Sequence, residues 1–129
     1  MDSKVYMVES GRTVSCDYMA IEDRMAGSMM VDLLHAGMGM ATESSEFLDA
    51  LKKTIFYGRE LDKVNLAEEL GDTLWYVALA MNALGTDFEE QMQINIDKLK
   101  LRYPDKFSNE DAEVRDLVSE RKLLEEANS

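Results

Sequence analysis

The sequence predicts an all-α fold, a helical bundle of about four to five helices, on three observations. Pro104 is the only proline in 129 residues, so long stretches carry no obligate helix breaker. Those stretches are rich in Ala, Leu, Met, Glu and Lys, all good helix formers. Apolar residues recur at three- and four-residue intervals, the helical period, rather than alternating. The length fits one ordinary domain over 1–129, with a core at about 15–107 and a peripheral C-terminal helix over 108–129.

The first helix is predicted from about Ser15 to Ala26, and Gly27-Ser28 reads as a break with Ser28 as the N-cap of the second. That second helix runs to about Tyr57. Leu34, Met38, Met40, Phe47, Leu48, Leu51 and Ile55 form its apolar stripe, Gly37 and Gly39 weaken its middle, and Gly58 ends it. A third helix starts near Asp62, buries Leu66, Leu70, Leu74, Val77, Ala78 and Met81, and stops at Gly85. Thr86 starts the fourth, where Thr86-x-x-Glu89 has the form of a capping box: hydroxyl and carboxylate each satisfy a free backbone donor of the first turn. Pro104 closes it. From Ser108 to about Glu126 the chain is strongly charged, with Val114, Leu117, Leu123 and Leu124 as sparse apolar positions, the pattern of a peripheral amphipathic helix.

A net charge of -12, from 26 acidic against 14 basic side chains, argues against a sequence-independent grip on nucleic acid, which needs clustered Lys and Arg. A small phosphate ligand bridged by cations stays compatible with it. Cys16 is the only cysteine, so neither an intramolecular disulfide nor a cysteine metal site is available, which fits a reducing compartment. Asp2, Lys4 and Glu9 interrupt the first residues, so they lack the apolar core of a secretory signal. The most apolar stretch, Met25 to Ala41, contains Asp32 and His35 and does not read as a membrane span. A cytoplasmic protein is expected.

Two acidic pairs stand out on the second and third helices. Residues three apart on a helix project from one side, so Glu43 and Glu46 face one way, and Glu69 and Asp72 do likewise. Steps of four from Glu43 reach Phe47 and Leu51, and steps of three or four from the other pair reach Tyr76 and Leu79, so the acids border apolar stripes. Carboxylates drawn together at the edge of a core repel and lose hydration, a state that persists only with compensating protons or cations. An all-oxygen donor set selects hard cations such as Mg²⁺ or Mn²⁺. Spacing alone leaves a metal site and a solvated helix face both open. A di-iron carboxylate bundle would need two Glu-x-x-His elements, whereas the one histidine sits in Asp32-x-x-His35 and reads as a packing or hydrogen-bonding residue.

The segments GMATESSEFLDALKK (39–53), NLAEELGDTLWY (65–76) and NIDKLKLRYPDKF (95–107) resemble the MazG-like family of all-α nucleoside triphosphate pyrophosphohydrolases. The order ExxE, EELGD, KLxxRYP extends from about Leu33 to Phe107. The resemblance implies that Glu43, Glu46, Glu69 and Asp72 bind two or more Mg²⁺ ions, with Mn²⁺ as a substitute, and that Lys98 and Arg102 contact the triphosphate. It implies hydrolysis of a nucleoside triphosphate to monophosphate and pyrophosphate, and assembly as a homodimer or homotetramer with sites completed at helix interfaces. Some family members carry a lysine three residues before the ExxD glutamate, where this chain has Leu66. Lys53, seven residues after Glu46, either supplies that charge or is simply solvated.

In the mechanism this suggests, water attacks the α-phosphorus, Glu46 accepts its proton, and Lys98 and Arg102 stabilise the departing pyrophosphate. Tyr76 shares the acids' face and can stack on a base, Trp75 is either core or a second stacking ring, Asn65 or Asn95 can hydrogen-bond sugar or base, and Tyr103 joins the substrate set beside Arg102. A broad-range activity, a deoxynucleotide-selective one and hydrolysis of a signalling nucleotide all remain compatible. The competing class is a non-enzymatic acidic helical interaction module, which explains the charge but not the acids beside apolar stripes.

Overall fold

A five-residue turn joins the two longest helices, and that hairpin positions everything that follows. The computed structural model describes residues 1–127. Its helices are α1 (Ser3–Gly11), α2 (Tyr18–Met25), α3 (Ser28–Tyr57), α4 (Lys63–Leu84), α5 (Phe88–Arg102), α6 (Asn109–Glu113) and α7 (Leu117–Ala127), and no strand occurs among the described residues.

Gly58 ends α3 in the left-handed conformation, φ 67°, which costs a glycine nothing, and the following Arg59 N–H closes the end on the Lys53 carbonyl at 3.3 Å. Asp62 then starts α4 by accepting the Val64 and Asn65 N–H groups, each at 3.1 Å. The reversed chain lays α4 antiparallel on α3, with Gly39 against Tyr76 and Glu43 near Asp72. Gly85, φ 73°, ends α4 in the same way as Gly58 ends α3. Beyond it α5 packs on α7, while α2 touches α3 and α1 buries no residue.

The structure departs from the sequence expectations in five places. Helix α1 was not expected; Asp2 caps it by accepting the Lys4 N–H at 2.8 Å, but with nothing buried it carries no periodic apolar signal. Ser28 is the first residue of α3 rather than its cap, because Gly27 holds the extended cap position and no side chain closes it. The cap of α5 is shifted by one residue: Asp87 accepts the Glu90 N–H at 2.9 Å, and the Thr86 hydroxyl donates to the Glu90 carboxylate instead of to the backbone. The C-terminal stretch forms two helices, because Ser108 caps α6 and Asp116 begins a new cap, taking both the Ser119 N–H at 3.0 Å and its hydroxyl at 2.7 Å.

The fifth departure concerns the core. Leu34, Met38, Leu48 and Ile55 of α3 and Leu70 and Leu74 of α4 were expected inside and are exposed. Met40, Phe47, Leu51, Leu66, Val77, Ala78 and Met81 are half-buried. A two-helix seam covers one stripe of each helix, so the second apolar stripe of each is left outside. Among the described residues the buried apolar side chains are Ala36 and Ile94.

Candidate active site

The acids sit where the antiparallel seam brings the middle of α3 over the second and third turns of α4. Carboxylate oxygens of Glu43, Glu69 and Asp72 all lie within 4.8 Å of one another. Glu69 is only 6% exposed, Glu43 is half-buried and Asp72 is open to solvent, so the cluster has a dry floor and a wet mouth. Glu46, one turn further along α3, does not join that convergence; its exposed side chain lines the adjoining cavity beside Glu69.

Local hydrogen bonds prepare the site. Asn65 Nδ2 donates to Glu69 Oε1 at 2.6 Å from one turn earlier on α4 and aims that carboxylate. The Ser44 and Ser45 hydroxyls turn back onto the Met40 and Ala41 carbonyls at 2.6 and 2.7 Å, so neither competes for the acids. The Thr42 hydroxyl has one proton, and its shorter contact is to the Gly39 carbonyl at 2.9 Å rather than to Glu43 Oε1 at 3.2 Å. Asn65 is therefore the dedicated orienting donor. Among the described residues no Lys or Arg pairs with Glu43, Glu46, Glu69 or Asp72. Converging carboxylates with one buried member and no cationic partner fit a hard divalent cation. Asn65→Ala should weaken Mg²⁺ or Mn²⁺ binding about ten- to a hundredfold, because a ligand that has lost its outer hydrogen bond must be ordered by the metal itself. Titration calorimetry reads this, and an unchanged affinity would remove Asn65 from the site.

Two cavities flank the triad. One, of about 470 Å³, opens toward the α3–α4 turn and is lined by Glu46, Asp49, Lys53, Arg59, Asn65 and Glu69 among others. Lys53 lies in it but is engaged by Asp49 at 2.6 Å, and the Lys52 and Lys53 ammoniums together hold the Asp49 carboxyl down at about 2. The other, of about 400 Å³, is lined by Glu43, Asp72, Trp75 and Tyr76. Trp75 is 59% exposed rather than core, and its ring meets Tyr76 edge-on at 5.0 Å. His35 packs edge-on against both, at 6.3 and 5.6 Å, as a neighbour of the rings rather than of the acids.

The α5 candidates form a separate set, and none lines either cavity. Asn95 is exposed and Lys98 half-buried. Arg102 is clamped by Glu120 of α7, which takes its Nε at 2.8 Å and its Nη2 at 2.6 Å, while Arg115 adds a contact at 2.7 Å. Tyr103 caps α5, with its ring 5.5 Å from Phe107 and 5.9 Å from the Arg102 guanidinium.

Glu120 is 4% exposed, and Arg102 first and Arg115 second hold its carboxyl down at about 2 from an ordinary 4.5. A carboxyl lowered on folding contributes stability that is complete above its unfolded value and lost as pH falls through the folded one. Helix α7 should therefore stay docked on α5 down to pH 4.5 and release between there and about 2, followed by amide exchange. Glu120→Gln should release it at neutral pH; protection of α7 that survives in that variant contradicts the clamp.

A sequence model of the MazG nucleotide pyrophosphohydrolase domain matches residues 35–107, more than half of the chain. The chain belongs to the MazG family. No curated protein and no solved structure matches it. The MazG segment contains the hairpin seam, the acidic triad, both cavities and α5, while α1, α2, α6 and α7 lie outside it. Membership places the chain among nucleotide pyrophosphohydrolases of all-α architecture. No described helix is long and apolar enough to cross a membrane. Three features escaped the sequence reading: the Asn65 bond to Glu69, the Glu120 clamp, and Arg59 in the turn-side cavity. The i, i+4 spacing of Asn65 and Glu69 was a usable signal; the other two had none.

Proposed function

We propose that this MazG domain is a Mg²⁺-dependent nucleoside triphosphate pyrophosphohydrolase, converting (d)NTP to (d)NMP and pyrophosphate and acting on the deoxynucleotide pool of the cytoplasm. The observation that carries this reading is the convergence of Glu43, Glu69 and Asp72 between an aromatic cavity and one that contains cations. Those three acids and Glu46 would hold two or more Mg²⁺ ions, or Mn²⁺. Bound divalent cations neutralise phosphate charge and acidify water.

In this reading the chain's own groups align and move the proton. Glu46, outside the convergence and open to the turn-side cavity, accepts a proton from the water that attacks the α-phosphorus. Trp75 and Tyr76 offer their rings to the base. Asn95, Lys98, Arg102 and Tyr103 meet the substrate from α5, with Glu120 gripping the Nε and Nη2 edge of Arg102 and leaving Nη1 to phosphate. A second copy of the chain brings such α5 groups to the seam in a homodimer or homotetramer.

Assembly is supported by the apolar stripes left outside, including Leu70 and Leu74, each 56% exposed and one turn apart on α4. Sedimentation should find a dimer or larger, and Leu70→Glu/Leu74→Glu should dissociate it; a monomeric parent protein contradicts this part of the reading. The activity is tested by pyrophosphate release from paired ribo- and deoxynucleoside triphosphates. Release that needs Mg²⁺ and favours the deoxy series is expected. Activity that survives chelation, or none on any nucleotide, sinks it.

A further inference from the structure

We propose that Arg59, in the turn between α3 and α4, is a further cation that binds the terminal phosphates, so that substrate lies with its base over Trp75 and Tyr76 and its β- and γ-phosphates in the turn-side cavity. This rests on the proposed triphosphate reading and adds to it a residue and a direction.

The triad joins the two cavities: Glu69 lines the turn-side one, Glu43 and Asp72 line the aromatic one, and their oxygens lie within 4.8 Å. A ligand at the triad therefore extends both ways, and the two sides differ in chemistry. The aromatic side offers rings and no cation. The turn side holds Lys53 and Arg59, so the polyphosphate end belongs there.

Five carboxylates also line the turn side, which at first opposes an anion, but most of them are already committed. Asp49 is taken by Lys52 and Lys53. Asp62 is taken by the Val64 and Asn65 N–H groups at the start of α4. Glu46 and Glu69 belong to the cation-binding set, which leaves Glu60 alone. Of the two basic residues, Lys53 is spent on Asp49, whereas Arg59 makes no side-chain hydrogen bond or ion pair among the described residues. Arg102, the arginine expected at the triphosphate, has two of its nitrogens committed to Glu120. Arg59 is thus the guanidinium with its whole planar fork available, and that fork matches two phosphate oxygens. Its backbone N–H closes α3 on the Lys53 carbonyl at 3.3 Å, which fixes where the side chain starts whatever that side chain is.

Because only the side chain is assigned, Arg59→Gln leaves the turn intact, and an unchanged melting temperature confirms it. Calorimetric titration with inorganic pyrophosphate in Mg²⁺ should show the variant binding about ten- to a hundredfold more weakly, the loss expected for charge-assisted hydrogen bonds. Binding of a nucleoside monophosphate should not change, and Arg59→Lys should recover part of the loss. Equal pyrophosphate affinity in variant and parent overturns the proposal, as does an equal loss for the monophosphate or no pyrophosphate binding by the parent. A parent that binds pyrophosphate through Arg59 yet releases none from any nucleotide overturns the hydrolase reading and leaves the phosphate subsite standing.

Discussion

Glu69→Gln is expected to lower pyrophosphate release by at least about ten- to a hundredfold while the fold stays intact, since a lost metal ligand costs no less than a lost outer-sphere partner. The substitution keeps size and shape and removes one negative charge from the buried member of the triad. Its amide carbonyl still accepts from Asn65 Nδ2, so no buried donor is orphaned. Relief of carboxylate repulsion should leave the metal-free melting temperature equal or higher. What disappears is the rise on adding Mg²⁺, which follows from ligand binding to the folded state alone. Glu43→Gln/Glu69→Gln should show no shift at all. A Glu69→Gln protein with a normal Mg²⁺ shift and normal turnover would remove the triad from the reaction.

The second large effect is expected at Gly39, and it separates packing from chemistry. A Cβ at this buried position would stand 2.2 Å from the Tyr76 ring, far inside contact distance, so the ring or the helix seam must move. Overpacking of this kind costs about 1–3 kcal/mol, and Gly39→Ala should melt correspondingly earlier although alanine is the better helix former. Because the same ring lines the aromatic cavity, KM for nucleotide should rise as well. Adding Tyr76→Ala removes the clash, so the double variant should be more stable than the two single losses predict. Additive losses would mean that the close approach of α3 and α4 at this point is wrong.

Gly39 also shows where sequence reading stops. Its place in the second helix was legible, and from propensity alone it reads as a weak point. Its role depends on Tyr76, a residue of another helix, and no local pattern reports that contact. Features decided within one or two turns were legible: the Gly58 and Gly85 helix ends, the Asp62 start, and the convergence of Glu69 with Asp72, whereas Glu46 falls outside the group that Glu43 joins. The exposure of Leu70, Leu74 and Trp75 was not, because apolar periodicity marks a buried stripe without saying whether its own chain buries it. Nor was the new helix start at Asp116, where a cap forms inside a charged run with no glycine or proline to announce it. The Arg102 and Glu120 pair spans 18 positions and joins the MazG segment to a helix outside it, so only the folded chain reveals it.

In the proposed reaction the acidic triad supports attack of water on the α-phosphorus of a nucleoside triphosphate. The most direct test is turnover with Mg²⁺ in water labelled with heavy oxygen, followed by phosphorus NMR of the products. Monophosphate and pyrophosphate are expected in equal amounts, with the label only in the monophosphate and turnover strongly lowered in Glu69→Gln. Release of orthophosphate, or label in the pyrophosphate, would contradict it.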